Sequence, residues 1–394
     1  MHVLPVSAEY GGKTFTEFSF LAHYLCSIVM CMMTDRIVSK TSLKLPTSNP
    51  KRRHAGGSRE ILGLLLLAVS CTALCRAQSK QLPPGPADAP AGGRMGATFR
   101  VSSGELRTPL TIIAYGDMRF TNPSNTTATN PGVRQSLIAR IAKEKPDAVF
   151  LNGDVPWRGG VADDYSVYRT ETRPWRDARL RIYPALGNHE FADCEPEHCL
   201  ANWWQTFPEL RGRRWYSVQL GNAVCAIVLD SDTSLLAHSQ QSRWLEMQLA
   251  SLPVSVKFVL IAMHHPPVAD VQTKMFVDHN PRENELALAN LLEAKRKKSR
   301  ATFVVIAGHI HNYERFEKHG IIYLVSGGGG AVPYPVDRTP DDAYQDASFP
   351  NYHYLQFVLT GDTLKATMFR LADPHTVSWE IKDTFEVRGV KTRP

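Results

Sequence analysis

The chain of 394 residues has no excess of positive charge outside its first 80 residues. Residues 1–80 contain ten Lys and Arg against four Asp and Glu, and the remainder contains thirty-five against thirty-four. The formal net charge of +7 therefore belongs almost entirely to the first segment. Because the remainder also lacks a basic stretch interleaved with aromatic residues, we expect no nucleic-acid partner.

Internal repeats and the compositions of disordered or fibrous chains are absent as well. Hydrophobic residues make up 43% of the chain and charged residues 21%, which are ordinary globular values. These values exclude a disordered, collagenous or coiled-coil protein.

The mostly apolar run at residues 61–74 is too short to span a bilayer, which takes roughly 20 residues as a helix. A positive segment at residues 51–59 precedes it, and Ala77 follows it. This order is typical of a secretory signal peptide over about residues 51–77, cleaved after Ala77. The sequence therefore predicts an exported protein, periplasmic or extracellular.

Two other interpretations of this segment remain open. Cys71 follows Ala68-Val69-Ser70 and could carry a lipid, or the apolar run could persist as a signal anchor. In either case the membrane would be contacted only through this leader. Residues 1–50 include a second apolar patch, which a misassigned start codon would explain.

Residues 78–105 are rich in Pro, Gly and Ala, which offer little apolar surface to bury. The composition predicts a linker between the leader, residues 1–77, and a folded domain over residues 106–394. About 290 residues are enough for one large α/β domain with a full core.

Three of the seven cysteines lie beyond the leader. Cys194 and Cys199 flank a short polar loop, a spacing that favours a local disulfide in an exported protein and leaves a thiolate metal site as the alternative. Cys225 lies within an apolar run, which predicts a buried core residue.

Strand-like and helix-like segments alternate along the domain. Strands are predicted at residues 110–115, 148–151, 182–186, 256–263 and 302–307, with a hairpin of residues 215–220 and 223–229. Helices are predicted at residues 133–145, 163–180, 239–252 and 282–298. Short strands dominate after residue 321. This order predicts an α/β fold in which helices cover a large sheet assembly.

Five of these predicted strands are each followed at once by residues that can bind metal. The segments are Gly116-Asp117-Met118-Arg119, Asn152-Gly153-Asp154, Gly187-Asn188-His189-Glu190, His264-His265-Pro266 and Gly308-His309-Ile310-His311. Open α/β sheets bind ligands at the carboxyl ends of their strands, so the five segments could meet in one crevice. Carboxylate, amide and imidazole donors together suit zinc, iron or manganese.

The complete series resembles the calcineurin-like metallophosphoesterase superfamily. The stretch Gly308-His309-Ile310-His311-Asn312-Tyr313-Glu314-Arg315 is most similar to the purple acid phosphatase branch. The similarity runs from about residue 111 to residue 330. It implies a four-layer α/β/β/α sandwich of two mixed β-sheets flanked by helices, with a centre of two metal ions.

The resemblance also implies a role for each residue of the series. Asp154 would bridge the two metals, which we call the first and second metal. Asp117 and His311 would bind the first metal, whereas Asn188, His264 and His309 would bind the second.

His189 would approach the phosphoryl oxygens or the leaving group rather than bind metal, with an orienting role as the alternative. Two cations can lower the pKa of a water held between them, so that it becomes hydroxide, and can neutralise the phosphoryl group that the hydroxide attacks. An adjacent imidazole can protonate the departing alkoxide.

Two residues depart from the family pattern. Trp157 stands where a purple acid phosphatase has a tyrosine ligand, and Arg119 stands where other members have a histidine. The first metal would therefore keep only three protein ligands, and its identity among iron, zinc and manganese stays open. Arg119 could clamp a phosphate through two hydrogen bonds or pair with a neighbouring carboxylate.

Gly327-Gly328-Gly329-Gly330 follows another predicted strand but is not accompanied by the lysine of a phosphate-binding loop. Close passage of the backbone near the metals is the favoured interpretation, since glycine permits it.

The sequence thus predicts a phosphoric ester hydrolase that acts on a small-molecule phosphate mono- or diester. The alternative is a binding protein that keeps the fold but has lost turnover through its weakened first site. The sequence does not determine an oligomeric state.

Overall fold

The computed structural model describes residues 97–389. The predicted signal peptide and most of the predicted linker lie outside the described residues. A strand, Phe99–Val101 (β1), falls within the stretch predicted as linker and pairs in parallel with a later strand. The end of that stretch therefore belongs to the folded domain, because Val101 is buried and its backbone is hydrogen-bonded.

The strands share one pattern, short apolar runs separated by helices or turns. After β1 they are Leu110–Tyr115 (β2), Ala148–Leu151 (β3), Ile182–Pro184 (β4), Tyr216–Leu220 (β5), Val224–Val228 (β6), Phe258–Ala262 (β7), Thr302–Ala307 (β8), Tyr313–Lys318 (β9), Ile321–Ser326 (β10), His353–Thr360 (β11), Thr363–Asp373 (β12) and Ser378–Arg388 (β13).

The α-helices mostly connect consecutive strands. They are Pro131–Glu144 (α1), Ala162–Glu171 (α2), Arg173–Asp177 (α3), Pro196–Thr206 (α4), Gln240–Ala250 (α5) and Glu283–Arg296 (α6). Asn130 caps α1, because its side chain accepts hydrogen bonds from the backbone N–H groups of Gly132 and Val133. Across residues 97–389, none of the helices has the length and apolar character needed to cross a membrane.

The strands form two mixed sheets. One has the order β1-β5-β6-β7-β8-β10-β9, and the other has the order β13-β12-β11-β2-β3-β4. Within the first, β6, β7, β8 and β10 are parallel to one another, and β1 and β5 are parallel to each other. β5 runs antiparallel to β6, and β9 runs antiparallel to β10. Within the second, β2, β3 and β4 are parallel, whereas β11, β12 and β13 are antiparallel.

Alternation along β7 shows how the layers pack. Leu260 belongs to the core that also contains β2 and β3, whereas Ile261 packs with Leu245 of α5 and Leu288 of α6. Successive side chains of a strand point to opposite faces, so β7 is covered by the second sheet on one side and by helices on the other. On the outer side of the second sheet, Glu144 of α1 hydrogen-bonds to β11. The predicted four-layer fold is confirmed.

Two of the predicted segments differ in the structure. The helix predicted at residues 163–180 is divided into α2 and α3 at Thr172, because Pro174 has no N–H to continue the helical ladder. Helix α4 was not predicted, and its first turn contains Pro196, Glu197 and His198, which were predicted to lie in a polar loop. Cys194 and Cys199 form the predicted disulfide, which joins the chain before α4 to the first turn of that helix. Cys225 is buried and free, as predicted.

Candidate metal centre

The carboxyl ends of five strands from both sheets meet at one place. β2, β3 and β4 end side by side in one sheet, and β7 and β8 end side by side in the other. Two hydrogen bonds join the sheets there, from the backbone N–H of Gly116 to the carbonyl of Ser326 (2.8 Å) and from the N–H of His309 to the carboxylate of Asp117 (2.9 Å). The five predicted segments therefore lie together.

Two glycines allow the backbone to approach Asp117 closely. A Cβ at Gly308 would lie 2.5 Å from Oδ2 of Asp117. A Cβ at Gly327 would lie 2.1 Å from the carbonyl oxygen of Ile310 and 2.9 Å from the same Oδ2. Any side chain would collide at these distances, which agrees with the interpretation of residues 327–330 as close backbone passage.

Three histidines of the centre donate a ring N–H to a backbone carbonyl. Nδ1 of His264 donates to Asn152 (2.9 Å). Nδ1 of His189 donates to Trp157 (2.6 Å), and Nδ1 of His311 donates to Val332 (2.6 Å). A carbonyl can only accept, so each neutral ring presents its unprotonated Nε2 to the centre. This arrangement is the one in which histidines bind metal in proteins.

The donor atoms predicted for the second metal lie very close together. Nε2 of His264 lies 3.0 Å from Oδ1 of Asn188 and 3.2 Å from Oδ1 of Asp154. Nδ1 of His309 lies 3.3 Å from the same Nε2. Nε2 of His264 is thus surrounded by three possible metal-binding atoms in a buried place. Nε2 and the two oxygens can only accept, so a cation between them would offset their repulsion. The residues present fit a metal ion here.

The donor atoms predicted for the first metal form a looser group. Nε2 of His311 lies 3.5 Å from Oδ1 of Asp117 and is buried without a hydrogen-bond partner among residues 97–389. The second oxygen of Asp154, Oδ2, instead accepts hydrogen bonds from Nε (3.2 Å) and Nη2 (3.1 Å) of Arg119. Asp117 and Asp154 form one group with His264 whose ligand atoms lie within 4.8 Å of one another.

Burial and charge act in opposite directions on the two carboxylates. Burial raises the pKa of Asp117 to about 7, although His264 opposes this shift. Burial also acts to raise the pKa of Asp154, but His264, His189 and Arg119 together hold it below its usual range. Asp154 is therefore the more readily ionised carboxylate of the pair, which agrees with the bridging role predicted for it.

The backbone at the centre is strained. Asp117, Arg119, Asp154 and His309 have φ values of 65°, 49°, 54° and 70°, in the left-handed region that residues with a Cβ rarely adopt. Such residues cost of order 1–3 kcal/mol each and persist mainly at functional sites. The turns after β2, β3 and β8 therefore direct side chains towards the centre at a cost in backbone conformational energy.

Glu190 fixes the position of Asp154 and was given no role by the sequence. Its buried carboxylate accepts hydrogen bonds from the backbone N–H groups of Gly187 (2.6 Å), Asp154 (3.0 Å) and Val155 (2.8 Å). Burial and the charge of Asp154 raise its pKa well above the ordinary value. In the sequence, what could have indicated a role for Glu190 was its position directly after Asn188-His189.

His189, Trp157 and Arg119 form a stack beside Asp154. The rings of Trp157 and His189 lie 4.6 Å apart at 27°, and the guanidinium of Arg119 lies 5.3 Å from the Trp157 ring centre. Nε2 of His189 is 3.9 Å from Oδ2 of Asp154. Trp157 therefore supports two polar side chains instead of providing a ligand.

Two further histidines adjoin the centre. The ring of His265 lies 4.2 Å from that of His309, and His265 forms a second group of possible metal donors with His264 and His309. The hydroxyl of Ser231 holds Nδ1 of His265 (2.8 Å). His279 lies 4.5 Å from the His309 ring and was not detected in the sequence, because its segment carries no motif.

Of the predicted site residues, the structure brings all eight together. They are Asp117, Arg119, Asp154, Asn188, His189, His264, His309 and His311. Of the two uses predicted for Arg119, the structure has the ion pair with a carboxylate. That the six ligands bind metal, and that His189 contacts substrate, stay predictions.

Residues 111–313 match the model of the calcineurin-like phosphoesterase family, slightly more than half of the chain. The resemblance inferred from the five motifs is thereby confirmed.

Relatives of this chain include purple acid phosphatases from plants. A probable purple acid phosphatase of Arabidopsis thaliana is 24% identical over 236 residues, which cover 55% of this chain and 54% of the relative. The structure of a purple acid phosphatase from yellow lupin (Lupinus luteus) seeds aligns with a TM-score of 0.58 and 18% identity, over 72% of this chain and 54% of that one. The chain thus spans about half the length of these relatives.

A shorter structure matches over nearly its whole length. A dimetal phosphatase from Danio rerio aligns with a TM-score of 0.50 and 14% identity, over 71% of this chain and 99% of the other. At such identities the two structural matches establish the fold alone.

Proposed function

Because this chain belongs to the calcineurin-like phosphoesterase family, we propose that it is a metal-dependent phosphoric ester hydrolase that acts on small-molecule phosphate mono- or diesters. The observation that carries the proposal is that Nε2 of His264 lies 3.0–3.3 Å from the possible metal-binding atoms of Asn188, Asp154 and His309. Imidazole, amide and carboxylate donors gathered around one point in a buried place suit a cation.

The residues would hold two metal ions, iron, zinc or manganese, in unequal ways. The second metal would have Asn188, His264, His309 and one oxygen of Asp154. The first would have Asp117, His311 and the other oxygen of Asp154. When bound, the metals would supply an acidified water as nucleophile and positive charge for the phosphoryl oxygens.

His189 is the protein group best placed to act on the leaving group. Its Nδ1 is tied to the Trp157 carbonyl, so only Nε2 can exchange a proton with a substrate. Its ring is held between the Trp157 face and the Asp154 carboxylate, which fixes the direction of Nε2. For this step the ring must first be protonated at Nε2. Delivery of that proton would make the departing alkoxide a better leaving group and return the ring to its neutral form.

Export forms the second part of the proposal. The disulfide between Cys194 and Cys199 supports it, since disulfides persist in oxidising compartments. Mass spectrometry of the mature protein from the native cell would test it. A new N-terminus at Gln78 supports cleavage after Ala77, and a lipid on Cys71 or an uncleaved leader would contradict that cleavage.

The activity is tested with nitrophenyl phosphate and bis(nitrophenyl) phosphate. We expect hydrolysis of at least one ester, loss of hydrolysis with chelator, and recovery with added zinc, manganese or iron. His264→Ala should abolish the activity, whereas His319→Ala, at an exposed histidine, should leave it unchanged.

A second candidate function is binding of a phosphate ester without turnover. Arg119 favours it, because its guanidinium already takes the Asp154 oxygen that the first metal would need. Tight binding of esters by a metal-loaded protein that hydrolyses none of them would support this function over catalysis.

A further inference from the structure

Arg119 forms an ion pair with the carboxylate of Asp154, which is the carboxylate that both metals would share. Oδ1 of Asp154 is turned towards His264 and accepts the backbone N–H of His189 (3.1 Å). Oδ2 accepts two hydrogen bonds from Arg119, at 3.2 and 3.1 Å. The two oxygens are thus divided between the second-metal ligands and a guanidinium.

The local fold holds Arg119 in this position. Its backbone N–H donates to the carbonyl of Asp154 (2.9 Å), and its backbone is in the left-handed region, with a φ of 49°. The face of Trp157 then supports the guanidinium. Only 14% of the Arg119 side chain is exposed, and Asp154 is fully buried, so water screens this ion pair weakly.

The guanidinium also adjoins the place predicted for the first metal. Arg119 follows Asp117 by two residues, and the oxygen that it occupies is the one that Asp154 would give to the first metal. Guanidinium stays protonated at all ordinary pH values, so it cannot make room by losing its charge. A divalent ion at the first site would therefore meet a fixed positive charge and an occupied carboxylate oxygen.

We propose that Arg119 is a built-in competitor of the first metal. In this inference, which rests on the metal centre of the proposed function, one metal ion binds tightly at Asn188, His264 and His309. A second ion binds at Asp117 and His311 only by displacing the guanidinium from Oδ2 of Asp154. Arg119 would thus set how many metal ions the protein holds at a given metal concentration.

The test is a titration of the metal-free protein with Mn²⁺ by equilibrium dialysis, with the bound metal counted per chain. Electron paramagnetic resonance distinguishes an isolated ion from a coupled pair. The wild type should bind one Mn²⁺ first, and a second at least about tenfold more weakly, because like charges would face each other. Its spectrum at one equivalent should be that of isolated ions.

Variants separate the charge of Arg119 from its shape. Arg119→Gln removes the charge and should tighten the weaker Mn²⁺ by at least about tenfold, so that coupled pairs form at lower concentration. Arg119→Lys keeps the charge and should keep the weak binding. Arg158→Gln is the matched control, since Arg158 pairs with Asp164 and not with Asp154, and it should titrate as the wild type does.

Two results would overturn the proposal. They are equal affinities for both ions in the wild type, and unchanged affinities in Arg119→Gln. In the latter case a weaker binding of inorganic phosphate would assign Arg119 to phosphate instead. Thermal unfolding of each variant establishes that it is folded. Failure of this inference can be told apart from failure of the proposed function, because the Mn²⁺ titration does not depend on whether any ester is hydrolysed.

Discussion

The hydrogen bond at Nδ1 determines which ring nitrogen carries the proton in three histidines of the centre. The sequence motif of each histidine does not determine this. His189 and His264 each donate their Nδ1 proton to a carbonyl of the loop after β3, and His311 donates to a carbonyl of the loop after β10. This hydrogen bond fixes the orientation of each ring and therefore the direction of Nε2. The same hydrogen bond gives His264 and His311 the form in which histidines bind metal, and it would give His189 one position from which to act on a substrate.

Asp154→Asn tests the bridging carboxylate. The variant removes one negative charge from a place where a guanidinium and up to two metals compete for it. We expect affinity for the more tightly bound metal to fall by more than about 100-fold, beyond the loss typical when only a group that orients a ligand is changed, and activity to fall with it. Metal analysis after dialysis and an ester assay measure both. Full metal content with wild-type turnover would refute the bridging role.

His189→Ala tests the acid role without touching a predicted metal ligand. Metal content should stay unchanged, and esters with poor leaving groups should be hydrolysed about 10²–10⁴-fold more slowly. Nitrophenyl phosphate should suffer less, because its leaving group needs no proton. An equal loss for alkyl and nitrophenyl esters would instead assign His189 to phosphate binding.

At the scale of structural elements, backbone contacts between loops position the ligands. The turn after β4 carries both Asn188 and Glu190, and the Glu190 carboxylate holds the turn after β3 through two N–H groups. One element thus provides a ligand and also fixes the adjacent ligand Asp154. The short 3₁₀ helix Asn188–Phe191 is what places both side chains on the centre.

Glu190→Gln tests this link between the two turns. The carboxylate accepts hydrogen bonds from backbone N–H groups, whereas the NH₂ group of glutamine would point a donor at a donor. We therefore expect a loss of about 1.5–3 kcal/mol in the free energy of unfolding. Metal affinity should fall about 10–100-fold, as for other groups that orient a ligand. Urea unfolding and metal titration measure these effects. Glu197→Gln, on the exposed side of α4, is the control, and equal behaviour of the two variants would contradict the link.

At the scale of the whole molecule, the centre lies where the two sheets meet. Asp117, Asp154 and Asn188 follow strands of the six-stranded sheet, whereas His264, His309 and His311 follow strands of the seven-stranded sheet. A metal bound to both groups would therefore connect the sheets at the ends of their strands. Binding there would stabilise the entire domain and not one loop.

Removal of metal should accordingly lower the stability of the domain. A ligand that binds only the folded state at 1,000 times its Kd adds about 4 kcal/mol, so chelation should lower the Tm by several degrees. Differential scanning calorimetry with chelator and with added Zn²⁺ measures the change. Asp154→Asn should show a much smaller response, and an equal response would place the stabilising metal elsewhere.

From the burial of His353 we predict part of the dependence of stability on pH. Its ring is buried, donates from Nδ1 to the carbonyl of Asn351, and accepts at Nε2 from Ser326; burial lowers its pKa from 6.5 to about 4. The unfolded chain then binds the proton more readily. Its contribution to stability is therefore present above pH 6.5 and is lost as the pH falls towards 4, by about 3 kcal/mol in all.

The comparison of His353→Gln with the wild type isolates this contribution. The variant should be less stable at pH 7.5, and the difference should shrink by about 3 kcal/mol between pH 6.5 and 4. Urea unfolding at a series of pH values measures it, with His375→Gln at an exposed histidine as control. Parallel stability curves for wild type and His353→Gln would contradict the assignment.

By itself the sequence determined the fold class and the members of the centre. The apolar runs of β2, β3, β7 and β8 are buried except at half-buried Thr111, so the sequence alone was enough to predict their length and order. A motif directly after each run then had to lie at the end of its strand. Helix boundaries and the short strand β1 were harder to predict from the sequence. A proline divides one helix, and β1 depends on its pairing with β5.

Only the tertiary structure decided how these residues use one another. Arg119 pairs with Asp154 instead of standing free for a phosphate, and the N–H of His309 meets Asp117 across 192 residues of sequence. Glu190 and His265 gained their contacts in the same way. Local sequence carries the propensity of each residue, but contacts such as these depend on two sheets packing in one register. That register is fixed by the burial of both faces at once, which no single segment of the chain contains.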